Sequence, residues 1–201
     1  MCASGISMNR SQSQGTHSYR YSPMSEHLPH PLPHVRRIVT SHDDSGNAII
    51  LSDSDLPSQA MEIVRDGRSS AIWVTTDSVP TNDNNNQEDG RKRIIEDMTN
   101  FKLVHPNGTN LRSTELGPGA ITPMHRTCSL DYNILVAGEL VLINEDGTEK
   151  HLKNPGDVVI QRGTMHAWRN PTNEWARWIT VLIAANPVVI NEKQLEAKFV
   201  L

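Results

Sequence analysis

Two histidines, one carboxylate and the glycines around them are the residues of this sequence best placed to do chemistry. The first segment runs Gly119-Ala-Ile-Thr-Pro-Met-His125-Arg126-Thr127-Cys128-Ser-Leu-Asp131 and closes at Gly138. The second runs from Gly156-Asp157 through Gln161-Arg162-Gly163 to His166-Ala-Trp168-Arg-Asn170. In a strand, residues two apart share a face. His125 and Thr127 therefore point into a barrel together, as do His166, Trp168 and Asn170, and Asp131 begins the next strand. Two imidazoles and a carboxylate converging with open positions describe a site for Fe(II), with Mn, Zn, Ni or Co as alternatives. Thr127 is a poor ligand when neutral. It can leave a coordination position to water or substrate, or donate a hydrogen bond to a substrate oxygen. Without a metal, His125, Asp131 and His166 can act as general acid and base, since histidine titrates near neutrality and burial tunes a carboxylate upward.

Other residues qualify as substrate contacts. Trp168 lines an aromatic wall of the cavity or packs as core. Asn170 lies on the same face. Arg126 and Arg162 neutralise an anionic substrate or pair with surface acids. Tyr132 should face away from Asp131, in a core or interface role. Cys128 has no thiol-activating partner fixed by sequence and reads as a bystander.

The elements that must hold these groups are short strands. Val35 to Thr40 and Ala48 to Ser52 flank the turn-forming Asp43-Asp-Ser-Gly-Asn, and Ala71 to Thr76 is a further β-branched run. Asn82 to Gly90 has the composition of a mobile loop. Phe101 to Val104 and Asn110 to Leu116 read as strands. A meander follows: Tyr132 to Ala137, Glu139 to Asn144, an Asp146-Gly147 hairpin turn, Glu149 to Leu152, a buried-looking Asp157 to Gln161, Met165 to Arg169, and Trp175 to Ala185. Asn191 can cap a short C-terminal helix, Glu192 to Phe199. Many short strands with regular turn signals indicate an all-β barrel or jelly roll.

The 201 residues make one domain with a tail, and hydrophobic content of 36% with 4% aromatics points to a core smaller than the chain. Residues 1–32, rich in Ser, Gln, His and Pro, are expected to be disordered, and residues 33–201 to form the domain, with its barrel core at about 110–185. A net charge of −4 with interspersed signs argues against nucleic-acid binding. The short clusters Arg36-Arg37 and Arg91-Lys92-Arg93 read as solvated surface. No apolar run reaches the ~20 residues that span a bilayer. With no apolar leader and two cysteines that lack an evident pairing, a cytoplasmic, reducing location is expected.

The two glycine-punctuated segments resemble the cupin superfamily. Its first motif is a Gly, five residues, His-x-His, three or four residues, Glu, six residues and Gly. Gly119, His125, Asp131 and Gly138 fall in register, with Thr127 for the second His and Asp131 for Glu. Gly156, Gly163, His166 and Asn170 match the second motif, with one residue fewer between its glycines. The wording around Met124 to Tyr132 and Gln161 to Asn170 resembles a single-domain subgroup found in bacteria and in fungal secondary-metabolite gene clusters. The resemblance reaches back to about Val35.

It implies a double-stranded β-helix with an N-terminal strand extension and a small-molecule substrate inside the barrel. The expected function is a tailoring enzyme of lyase or isomerase type acting on a carbonyl- or enol-containing, polyketide-like substrate. His125, Asp131 and His166 would hold a divalent metal, and Thr127 would complete the catalytic set. O2-dependent oxidation, metal-free acid–base catalysis and non-catalytic ligand binding are the alternatives. A homodimer built through Val35 to Thr76 is expected.

Overall fold

The computed structural model describes residue 30 and residues 32–200. Residues 1–29 of the expected disordered tail lie outside the described residues. Strands β1 (Val35–His42) and β2 (Ala48–Leu56) form a separate hairpin, followed by β3 (Gln59–Ala60), β4 (Gly67–Thr75) and β5 (Thr109–Leu116). Then come β6 (Met124–Arg126), β7 (Ser129–Ala137), β8 (Leu140–Asn144), β9 (Glu149–Leu152), β10 (Val158–Arg162), β11 (His166–Arg169) and β12 (Ala176–Ala184). Strands β13 (Val188–Ile190), β14 (Lys193–Leu195) and β15 (Lys198–Val200) end the described chain. Among the described residues no helix is long and apolar enough to cross a membrane.

Two sheets enclose the interior. One has the order β10-β7-β12-β5-β4-β3 and the other β15-β6-β11-β8-β9, and all the named pairings are antiparallel. Alternation along each strand decides what faces inward. On β7 the buried set is Ser129, Asp131, Asn133 and Leu135, and on β12 it is Ala176, Trp178, Thr180 and Leu182. One half of the interior is apolar: Leu116, Leu135 and Trp178 meet Leu140, Leu142, Leu152 and Trp168 from the opposite sheet. The other half carries the polar residues of β7, β5 and β6. The barrel is therefore a packed core at one end and a lined cavity at the other.

Backbone proximity is tight where strands leave the core. At Gly138 (φ +69) an added Cβ would lie 2.6 Å from the Trp175 carbonyl oxygen, and at Gly108 it would overlap the Thr75 carbonyl. Only glycine fits such positions.

Several expectations are corrected. The segment Glu192 to Phe199 is not a helix. Asn191 and Glu192 take φ +48 and +65 and form the two-residue turn of the β13–β14 hairpin, where Ile190 pairs with Lys193. β15 then pairs with β6, setting Phe199 opposite His125. An eight-residue helix is too short to persist without packing, and the strand pairing supplies it here. Phe101 to Val104 is a turn rather than a strand, with Phe101 and Lys102 both at positive φ. β10 is an edge strand whose Val158 and Ile160 are exposed, rather than buried.

The basic clusters are only partly solvated. Arg37 is buried and makes a bidentate pair with Asp89 at 2.6 and 2.7 Å. That pair holds the Asp89 carboxyl down at about 2, its hydrogen bonds with the guanidinium outweighing burial. Arg93 reaches Asp83 at 2.7 Å, Glu88 at 3.1 Å and the Val74 carbonyl, above the Trp73 ring. The segment 82–92 therefore contains two short 3₁₀ turns, Asp83–Asn85 and Gly90–Lys92, pinned to the barrel wall.

Candidate functional site

His125 lies on β6 and His166 on β11, and the two are direct partners in the antiparallel pairing. Their rings stand 4.3 Å apart between centroids, tilted by 47°. Nδ1 of His125 lies 2.9 Å from the Pro123 carbonyl oxygen and Nδ1 of His166 lies 3.0 Å from that of Thr164. A carbonyl only accepts, so both Nδ1 atoms carry the proton and both Nε2 atoms keep a lone pair. Burial lowers the pKa of His125. Burial, with the neighbouring His125 adding to it, drives His166 down to about 3. Both imidazoles are consequently neutral near pH 7. Phe199 stacks on His125 at 5.0 Å and Trp168 meets the His166 ring edge-on at 6.0 Å.

Asp131 approaches from the other sheet. It is 5% exposed, and its Oδ1 has no hydrogen-bond partner among the described residues. Burial raises its carboxyl from 3.8 to about 6, against a smaller opposing effect of a hydrogen bond with Ser129. The Ser129 hydroxyl is also 2.8 Å from the Thr127 hydroxyl. Thr127, Ser129 and Asp131 therefore form a short polar chain on the cavity wall. Thr127 is buried and spends its hydroxyl on that chain.

The cavity that these residues share has a volume of about 90 Å³ and opens to solvent. Its lining includes His125, His166, Asp131, Thr127 and Trp168, as the spacing predicts. It also includes Arg112, Thr114, Asn133 and Thr180, which the spacing of the two glycine segments does not signal, and Phe199 from β15. The period-two alternation of β5 and β7 places Arg112, Thr114 and Asn133 on the inner face and was the available clue.

Two expected substrate contacts lie elsewhere. Asn170 is fully buried and structural: its Nδ2 donates to the carbonyls of Leu116, Gly117 and Glu174, and its Oδ1 accepts from Thr172. Arg126 points outward and donates to the Glu196 carbonyl at 2.9 Å. Tyr132 is exposed on the outer face, and Cys128 is half-buried with its thiol pushed up mainly by burial.

A divalent metal can be tested against these side chains. The two imidazoles suit one, since each has a free Nε2 and a backbone carbonyl fixing its tautomer. The carboxylate does not complete the set: among the described residues no three His, Cys, Asp or Glu side chains converge closely enough to hold an ion. A three-residue protein centre is therefore not formed in this geometry. Asp131 is one methylene shorter than Glu, and it stands off on the opposite wall.

The fold, the inward histidine pair and the relatives of this sequence agree. The chain is 30% identical over 173 residues to the cupin-domain-containing oxidoreductase fogC of Aspergillus ruber, covering 83% of this chain and 82% of that one. It belongs to the cupin superfamily. This cupin is also 36% identical over 162 residues to phomopsin biosynthesis cluster protein D of Diaporthe leptostromiformis, covering 79% of this chain and 83% of the relative. Oryzines biosynthesis cluster protein J of Aspergillus oryzae is 30% identical, with 82% and 90% covered. No family-level sequence profile matches the chain. Among solved structures, the polyketide cyclase RemF of Streptomyces resistomycificus superposes with a TM-score of 0.45 at 13% identity, over 73% of this cupin and 81% of that chain.

Proposed function

We propose that this cupin is a tailoring enzyme of secondary metabolism that moves protons on a small carbonyl- or enol-bearing substrate inside the barrel. Asp131 carries the reading: a buried carboxyl with a free Oδ1 and a pKa near 6 can both take and return a proton at physiological pH. Opposite it, the unprotonated Nε2 atoms of His125 and His166 accept hydrogen bonds from substrate hydroxyl or enol groups and so fix which carbon faces Asp131. Trp168, Trp178 and Phe199 supply apolar and aromatic wall for a planar ligand and exclude water. Isomerisation, dehydration, cyclisation and decarboxylation all use such proton transfers. The relatives' biosynthetic-cluster names support the setting.

A second reading is favoured by the tautomers of the two histidines and by the relatives named oxidoreductases. In it His125 and His166 would hold a divalent metal through their Nε2 atoms. Such an ion would supply Lewis-acid or O2 chemistry. Thr127 then borders the open side through the Ser129 chain.

The test uses the metabolite that accumulates when the gene is deleted in its source organism. Purified protein should convert it, and Asp131→Asn should slow conversion by about 100-fold or more. Conversion that survives both Asp131→Asn and His166→Ala would remove the proposed chemistry. A chelator that abolishes wild-type conversion selects the second reading. A homodimer through the β1–β2 hairpin is part of the same proposal, supported by its exposed Ile38, Ile49, Ile50 and Leu51.

A further inference from the structure

Arg112 is the one cavity-lining residue whose charge the proposed chemistry leaves unused. It projects from β5, half-buried, into the space that His125, His166 and Asp131 share. Its Nε and Nη2 both donate to the Ser69 hydroxyl, at 3.1 and 2.5 Å. No carboxylate pairs with it among the described residues, although Arg36, Arg37, Arg93, Arg169 and Arg177 each have one. Burial with no neighbouring anion lowers its pKa to about 10, so it stays charged at neutral pH. A partly buried guanidinium with no carboxylate beside it is stabilised when an anion comes to it.

A second group points the same way. Asn133 is 4% exposed, and its Oδ1 accepts from the Thr180 hydroxyl at 2.8 Å. Its Nδ2 is buried with no hydrogen-bond partner among the described residues. In this orientation of the amide Nδ2 is the free end. Thr180 is the direct strand partner of both Asn133 and Arg112, which puts the two donors on neighbouring strands either side of it. One orphaned cation and one orphaned donor thus face the same cavity.

We propose that Arg112 and Asn133 form an anion subsite, and that the substrate carries a carboxylate or the anion of a comparably acidic enol or phenol. The subsite rests on the barrel cavity being the place of chemistry. Guanidinium and amide offer parallel N–H donors that suit the two oxygens of a carboxylate. Asn133 and Asp131 are two residues apart on one face of β7, roughly 7 Å along the strand. An acid anchored at Asn133 therefore sets atoms about one ring away beneath the Asp131 carboxyl and the two imidazoles. The polar end fixes orientation, and the apolar wall of Trp168, Trp178 and Leu182 takes the body of the ligand.

The test is ligand-observed NMR and calorimetry with benzoate, salicylate and acetoacetate, each against its primary amide, on wild-type protein. At least one acid should bind about tenfold tighter than its amide, with the difference shrinking as salt is raised. Arg112→Gln should bring acid and amide within about twofold, and Arg112→Lys should retain part of the preference. Asn133→Asp keeps the Thr180 bond, places a carboxylate beside the guanidinium and should abolish the preference by a separate route, so the proposal survives a failure of Arg112→Gln to fold. A set in which no acid outbinds its amide overturns it, as does a preference unchanged in Asn133→Asp and in whichever Arg112 variant folds. Because binding is read without turnover, loss of the acid preference alongside Asp131-dependent conversion removes this proposal alone. An intact preference with conversion indifferent to Asp131 removes the proposed chemistry alone.

Discussion

His125 and His166 sit opposite each other in the β6–β11 pairing, with ring centroids 4.3 Å apart and both Nδ1 protons committed to backbone carbonyls. That relationship makes the pair a neutral, two-acceptor surface, and in the proposed chemistry the acid–base work falls to Asp131.

Asp131 should cost stability at neutral pH. Its carboxyl is raised from 3.8 to about 6 by burial, so between those values the folded state binds the proton more tightly than the unfolded chain. The stability this gives is fully present below pH 4 and is lost as pH rises through 6. Asp131→Asn should therefore raise the Tm at pH 7.5, by an amount equivalent to about 1–3 kcal/mol, and leave it nearly unchanged at pH 4. A variant less stable than wild type at pH 7.5 would contradict the buried, unpartnered carboxyl.

His166 should act in the opposite direction. Its folded pKa lies at about 3, well below the ordinary 6.5, so the unfolded chain takes up the proton first as pH falls. Metal-free protein should lose stability from pH 6.5 downward, and His166→Gln should flatten that acid limb in urea unfolding followed across pH.

Asn170 should prove a folding residue. Asn170→Ala strands the carbonyls of Leu116, Gly117 and Glu174 inside the barrel and should cost about 2–4 kcal/mol. Denaturant melts check the loss, and affinity for cavity ligands at temperatures where the variant is folded should stay within about twofold.

The β1–β2 hairpin should mediate self-association. Light scattering is expected to give a dimer, and Ile50→Asp, at a position 61% exposed, is expected to give a monomer. A monomeric wild-type protein removes the idea.

Much of this was readable from spacing alone. Residues two apart share a strand face, so the inward turn of His125, Asp131, His166 and Trp168 followed from sequence. The Asp146-Gly147 turn likewise marked the β8–β9 hairpin. What escaped was nonlocal. Arg112 reaches the cavity from β5, which carries no chemical motif, and Asn133 from a β7 position outside the motif residues, and only the pairing of β5, β12 and β7 brings them together. Arg37 finds Asp89 across 52 positions, which no local pattern reveals. The C-terminal segment has helix-like caps and charges, yet pairing with β6 and packing of Phe199 on Phe101 and His125 make it a strand. Asn170 was placed on the correct strand end, but its amide is spent on backbone carbonyls that sequence does not position.

The most direct test is the pH–rate profile for conversion of the metabolite that accumulates in a deletion strain, measured for wild type and Asp131→Asn. The predicted result is an inflection near pH 6 in the wild type that disappears in the variant, with the rate at pH 7.5 down about 100-fold or more. An unchanged rate with the same inflection in Asp131→Asn would contradict the account.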